Sequence, residues 1–216
     1  MAEKLIAVVL DRYGRTYAEE AGIRLADRPA ALYQLLILAT LLSARISAGV
    51  AVAAARELFA AGYRTPRAMS EASWQDRVDA LGRGHYRRYD ERTATMLGDG
   101  AQLCQRRWRG DLRRLRKEAA GDVRRLRELL MEYPGIGPTG ADIFLREVQQ
   151  VWTELRPFLD RKVIAGAKKA QLPTSADELA RLVVPADLSR LAAALVRLSL
   201  DRKAAESLQD AAQSRQ

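Results

Sequence analysis

One cysteine, Cys104, and one histidine, His85, are all that the 216 residues offer of the two commonest soft metal ligands. No disulfide can close within the chain, and a four-cysteine zinc site or iron–sulfur cluster is excluded. A multi-histidine metal centre is excluded as well, so no cofactor is expected on composition. A reducing cytosol is the natural compartment for such a chain. Long apolar runs are also missing. The longest, Leu35 to Ala44, is interrupted by Thr40 and Ser43. It falls far short of the ~20 residues a membrane span needs and reads as a buried core helix. The opening Met1 to Leu10 has no signal-peptide cleavage site and runs straight into a polar helix. Aromatic residues make up 6% of the chain, and no apolar/polar alternation is long enough to claim a strand. Internal repeats and low-complexity linkers are absent. Lysine is scarce: six of the 36 basic residues are Lys and the rest Arg. Arg binds phosphate bidentately and stacks on bases better than Lys. A codon bias toward Arg accounts for the imbalance equally well, so only the position of each Arg is informative.

What is present is positive charge and helical periodicity. The net charge is +9, with 48% hydrophobic residues. That surplus favours a polyanionic partner, nucleic acid or an anionic membrane. The length suits one compact unit or two subdomains sharing a cleft. Apolar spacing predicts helices over 3–12, 29–44, 48–61, 65–70, 72–80, 89–107, 121–132, 138–151, 160–170, 175–183 and 186–213. Turn signals such as Asp27-Arg28-Pro29, Gly82-Arg83-Gly84 and Leu172-Pro173-Thr174 separate them. The fold class is all-α, two helical subdomains with short loops. Basic residues gather in three groups. The first is Arg83, Arg87, Arg88 and Arg92. The second runs from Arg106 to Lys117 around Trp108, and the third is Arg124, Arg125 and Arg127. They read either as a nucleic-acid surface or as solvated helix faces paired with Asp90, Glu91, Glu118 and Asp122.

The most specific stretch is Glu132-Tyr133-Pro134-Gly135-Ile136-Gly137-Pro138-Thr139-Gly140-Ala141-Asp142. An amphipathic helix with Leu126, Leu129 and Leu130 ends at the turn. A second, with Ala141, Ile143, Phe144 and Val148, begins directly after it. Gly135 and Gly137 can take positive φ and let the backbone approach another molecule closely. Pro138 suits the first position of the next helix. The amides at that helix start would face outward, and a phosphate is their natural ligand. An ordinary tight connection between packed helices has the same composition.

Pro134-Gly135-Ile136-Gly137 resembles the hairpin of the helix-hairpin-helix DNA glycosylases, the superfamily of endonuclease III. Upstream, Leu41-Leu42-Ser43-Ala44-Arg45-Ile46-Ser47 resembles the family's loop that enters DNA beside the extruded base. Downstream, Arg156-Pro157-Phe158-Leu159-Asp160-Arg161-Lys162-Val163 resembles the segment carrying its catalytic aspartate, which falls on Asp160. Gly84-His85-Tyr86-Arg87 is a weaker match to a Gly-aromatic segment that touches the helix. The resemblance covers roughly residues 30–170, in order. It implies a hairpin site made by Gly135, Ile136, Gly137, Thr139 and Gly140, holding one phosphate through backbone N–H groups with a monovalent cation on the carbonyls. It implies further DNA contacts at Ser43, Arg45, His85, Tyr86 and Arg87. Thr139 stands where the endonuclease III branch has its Schiff-base lysine, so base release without strand cleavage is expected. The four-cysteine loop of the cluster-bearing members is absent, as is an acid between Leu35 and Ala44 of the adenine-glycosylase kind.

The expectation is therefore a monomeric, monofunctional DNA glycosylase without an iron–sulfur cluster, acting on duplex DNA with a lesion or mismatch in base excision repair, cytoplasmic and nucleoid-associated. Residues 29–150 would form the hairpin domain. Residues 1–28 and 151–216 would form the second, with Asp160 at the junction. Breaking an N-glycosidic bond develops positive charge on the sugar, which a carboxylate stabilises. Asp160 fits that role and equally fits a helix N-cap. Arg45 would fill the gap left by the extruded base or simply contact phosphate. His85 and Tyr86 would wedge from the opposite side. Trp74, Trp108 and Trp152 read as core. A non-catalytic DNA-structure binder, or an abasic-site lyase using Lys162, remain alternatives.

Overall fold

Residues 2–201 are described by the structure, a computed structural model. Among them every regular element is helical. In chain order the α-helices are α1 (Ala2–Tyr13), α2 (Tyr17–Glu20), α3 (Pro29–Leu42), α4 (Ala48–Ala60), α5 (Pro66–Glu71), α6 (Trp74–Arg83) and α7 (Asp90–Trp108). They continue with α8 (Leu112–Ala119), α9 (Val123–Met131), α10 (Pro138–Val148), α11 (Arg161–Lys169), α12 (Ala176–Ala180) and α13 (Leu188–Leu200). No described helix is long and apolar enough to cross a membrane. The described residues divide into two compact units, residues 18–144 and residues 2–17 with 145–201.

The larger unit is built on α3. Its residues Leu35 to Ala39 and Leu41 are all essentially inaccessible to solvent. A helix apolar on every side is stable only when surrounded. At ~1.5–3 kcal/mol per buried leucine-sized side chain, α3 is the main source of cohesion in this unit. Helix starts are fixed by side chains that accept orphan amides. Ser47 accepts from Val50, Thr65 from Ala68, and Ser73 with Asp76 closes a full capping box.

In the smaller unit α1, α11 and α13 share a core of Ile6, Val9, Val163, Ala167, Leu191 and Leu195. Gly166 explains how α11 and α13 approach: a Cβ there would collide with the Leu195 carbonyl.

Helix ends agree with the periodicity to within a few residues, but two helices were not anticipated. One is α2, a single turn. The other is α8, where Leu112, Leu115 and Ala119 are buried on one face while Arg113, Arg114 and Lys117 point to solvent. Four basic residues concealed an apolar stripe at helical spacing. Residues 202–213 of the expected last helix lie outside the described residues.

Candidate nucleic-acid interface and carboxylate site

The hairpin is formed by α9, the turn and α10. Leu126, Leu129 and Leu130 turn α9 into the core. Arg127 of α9 pairs with Asp142 of α10 at 2.9 Å, pinning the two helices together. Within the turn only Gly135 takes a positive φ, +88°. Gly137 does not, although its lack of a side chain permits it. A Cβ at Gly135 would press on Thr40 Cγ2 at 3.0 Å and Met96 Sδ at 3.2 Å, so this glycine is required by position as well as by φ.

Of the hairpin residues, Gly135, Gly137 and Thr139 are exposed, while Ile136 and Gly140 are buried. Ile136 is a correction: its side chain is an anchor, and its amide donates to the Tyr133 carbonyl at 3.0 Å, closing the turn on itself. The amides of Gly137, Thr139 and Gly140 have no acceptor among the described residues. These are the orphan donors of a helix start.

Ser43 stands beside the hairpin. Its Oγ donates to Thr40 O at 2.7 Å and lies 3.4 Å from Gly135 O. A Cβ at Gly140 would meet Ser43 Cβ at 3.4 Å. The structure therefore brings together the α3–α4 loop and the hairpin. Arg45 is exposed in the same loop and has no carboxylate partner among the described residues.

The Gly84-His85-Tyr86 segment is a helix end. His85 N donates to Gly82 O and Tyr86 N to Leu81 O, both at 3.0 Å, with His85 at φ 62°. This is a Schellman closure, whose last residue normally packs inward. Tyr86 does so and is 1% exposed. It cannot act as a wedge in DNA from there, which corrects the expectation; burial raises its hydroxyl pKa, partly offset by a hydrogen bond with Thr93. Gly84 sits on α4, where a Cβ would collide with Ala53 and Ala54 backbone. His85 and Arg87 remain exposed.

The basic runs are partly ion-paired. Arg107 contacts Glu118 at 2.8 Å and Glu132 at 3.2 Å, Arg113 contacts Asp111 at 2.7 Å, and Arg116 contacts Asp27 at 3.1 Å. Arg125 meets Glu128 at 3.2 Å. Such exposed pairs add little stability, but they reduce the charge these residues present to solvent. Arg45, Arg87 and Arg92 are exposed without such partners among the described residues.

Sequence reasoning missed Tyr133 and Gly100. The Tyr133 ring lies on Gly100 of α7, where any Cβ would collide with it, and this contact fixes the turn from below. Glycines inside α7 were the available signal, since a mid-helix glycine usually has a packing reason. Cys104 lies buried in the same region. Burial, followed by Asp111, pushes its thiol up to about 12, so it is no nucleophile at neutral pH.

In the other unit Asp160 caps α11. Its Oδ1 accepts the amides of Lys162 and Val163, each at 3.0 Å. Its Oδ2 lies 3.6 Å from Arg146 Nε. Arg161 and Lys162 are exposed on the first turn of α11. Among the described residues no group of three or more His, Cys, Asp or Glu is placed to hold a metal ion.

No family model matches the chain, and no curated protein matches it. Among solved structures, a trapped endonuclease III–DNA covalent intermediate, the estranged-adenine complex, is similar at 18% identity and a TM-score of 0.48. The match covers 91% of this chain and 85% of that one. At that depth the likeness assigns no reaction to this chain.

Proposed function

We propose that the protein is a monofunctional DNA glycosylase that releases a damaged or mispaired base from duplex DNA. The observation that carries the DNA part is the exposed hairpin, with the Gly137, Thr139 and Gly140 amides unsatisfied beside the loop that bears Arg45. A duplex phosphate completes such a helix start. The chemical part rests on Asp160, whose carboxylate is held in a fixed orientation at the start of α11. In the reaction the bond between C1′ of the sugar and the base nitrogen breaks, and its electron pair leaves with the base. Asp160 stabilises the positive charge left on the sugar until water adds its oxygen to C1′ and gives up a proton to the departing base.

The test is a panel of duplexes, each with one lesion or mismatch, assayed for base release and strand integrity. Base release with an intact strand, and no borohydride-trapped adduct on abasic duplex, is the expected result. Thr139 offers no amine for a Schiff base. A trapped adduct mapping to Lys162 would transfer the protein to the lyases.

Arg45 supplies a further check. As a plug it matters only once a base has left the stack. Arg45→Ala should slow base release about tenfold and leave affinity for undamaged duplex nearly unchanged. Equal losses on both would reduce Arg45 to a phosphate contact.

A second reading, a non-catalytic DNA-structure binder, is favoured by one observation: both Asp160 oxygens already face partners within the protein. A panel with binding but no base release would establish it.

A further inference from the structure

Three connected features surround Asp160. First, its two oxygens are treated differently. Oδ1 takes both capping amides at 3.0 Å. Oδ2 faces Arg146 Nε at 3.6 Å, beyond ordinary hydrogen-bond length. A carboxylate offers about four lone-pair sites. Arg146 thus meets Oδ2 as a charge, and Oδ2 takes no hydrogen bond among the described residues. Second, the pair is secluded: the Arg146 and Asp160 side chains are only 9% and 10% exposed. A charge so placed needs its counter-charge to stay put. Third, the connecting chain is clamped to the same helix. Gln149, fully buried on the turn after α10, accepts from Phe158 N at 3.0 Å and donates to Phe158 O at 3.0 Å and Arg146 O at 2.9 Å. Arg156 donates back to Gln149 O at 2.7 Å and Gln150 O at 2.8 Å. The segment from 149 to 160 is folded against the end of α10 so that it delivers the carboxylate to the guanidinium.

The geometry points to Arg146 as the positioning residue of Asp160, with Gln149 fixing the segment between them. Arg146 turns the carboxylate so that one oxygen caps α11 and the other is presented to the sugar. The inference rests on the glycosylase reading for its functional consequence and on the geometry alone for its structural one. It also assigns Arg146 a purpose that a surface arginine of α10 would not have.

Two measurements on the full-length protein test it. Amide hydrogen exchange at Lys162 and Val163 reports the cap directly. In Arg146→Met these two amides should exchange about fivefold faster, the scale of a weakened cap, with the rest of α11 moving less. Single-turnover base release should fall at least about tenfold, and affinity for the same lesion duplex should hold within about twofold, because Arg146 acts through Asp160 and not on the DNA. Arg146→Lys keeps the charge and should restore most of both. If Arg146→Met does not fold, Gln149→Met and Arg146→Lys carry the test: Gln149→Met should lower base release and speed exchange at Phe158.

Exchange at Lys162 and Val163 that rises no more than the protein-wide change, or a lysine variant no better than the methionine one, overturns the inference. So does base release by folded Gln149→Met at the parent rate. If the parent releases no base from any duplex, the glycosylase reading fails, while the exchange data still decide the role of Arg146.

Discussion

Asp160→Asn is expected to lower single-turnover base release by roughly 10²–10³-fold, the usual loss on removing a preorganised electrostatic group from a transition state. Affinity for the lesion duplex should hold or rise slightly, since one negative charge near DNA is gone. The variant separates the two tasks of the residue. Asn caps a helix about as well as Asp, so its Oδ1 can keep the Lys162 and Val163 amides and the first turn of α11 survives. The second task is lost. The side-chain amide then meets the Arg146 guanidinium where Oδ2 stood at 3.6 Å, and a secluded positive charge has no counter-charge from this residue. Breaking a buried pair costs about 3–5 kcal/mol when contact is tight. The long separation here argues for the lower end, and the melting temperature should fall measurably. Assays therefore belong well below that melting point, with circular dichroism confirming the folded state. A folded Asp160→Asn that excises at the parent rate would leave Asp160 as a cap and ion-pair partner, and the non-catalytic reading would take over.

Asp160 shows what a sequence reading can and cannot reach. The cap was legible, because an Asp immediately before a helical run is a local pattern. Arg146 was not, because it stands 14 positions upstream on another helix and reads there as an ordinary polar residue of α10. The same distance problem hid some partners of the basic runs: Arg107 finds Glu132 25 positions away, and Arg116 finds Asp27 89 positions away. The hairpin was legible because Pro and Gly punctuate the chain strongly at Pro134 to Pro138. Within it the division of labour was not, since only the folded backbone distinguishes Gly135, at positive φ, from Gly137, which lies in open space. Tyr86 was misread for a physical reason that the sequence does carry. It is the hydrophobic residue two places after the helix cap Gly84, a position that packs inward in a Schellman closure.

That distinction between the two hairpin glycines makes Gly137 the better probe of DNA binding, and Gly137→Ser its sharpest form. Gly135 is a poor target, because any Cβ there combines positive φ with pressure on Thr40 and Met96 and would disturb the turn itself. A Cβ at Gly137 meets nothing within 4 Å. Gly137 directly precedes Pro138, the first residue of α10, so it occupies the cap position. A serine there accepts an amide from the second or third helical residue, which here means Thr139 or Gly140. Those are the amides proposed to hold the phosphate. Stability and binding should therefore move in opposite directions. The cap improves by a few tenths of a kcal/mol, so the melting temperature should stay level or rise slightly. Duplex binding loses a hydrogen bond to a charged oxygen, worth about 1.5–3 kcal/mol, and affinity should fall at least about tenfold. The loss should be alike for damaged and undamaged duplexes of any sequence, because phosphate contacts carry no base information, provided the salt is matched. Gly137→Val provides the contrast. It blocks the same approach without supplying an acceptor and, as a poor cap, should lower stability by about 1 kcal/mol. Equal weakening by Ser and Val with opposite stability changes would tie the effect to the amides and not to a damaged fold. Full parental affinity in Gly137→Ser would mean that no phosphate sits on this helix start, and the DNA-binding surface would have to be sought around Arg87 and Arg92 instead.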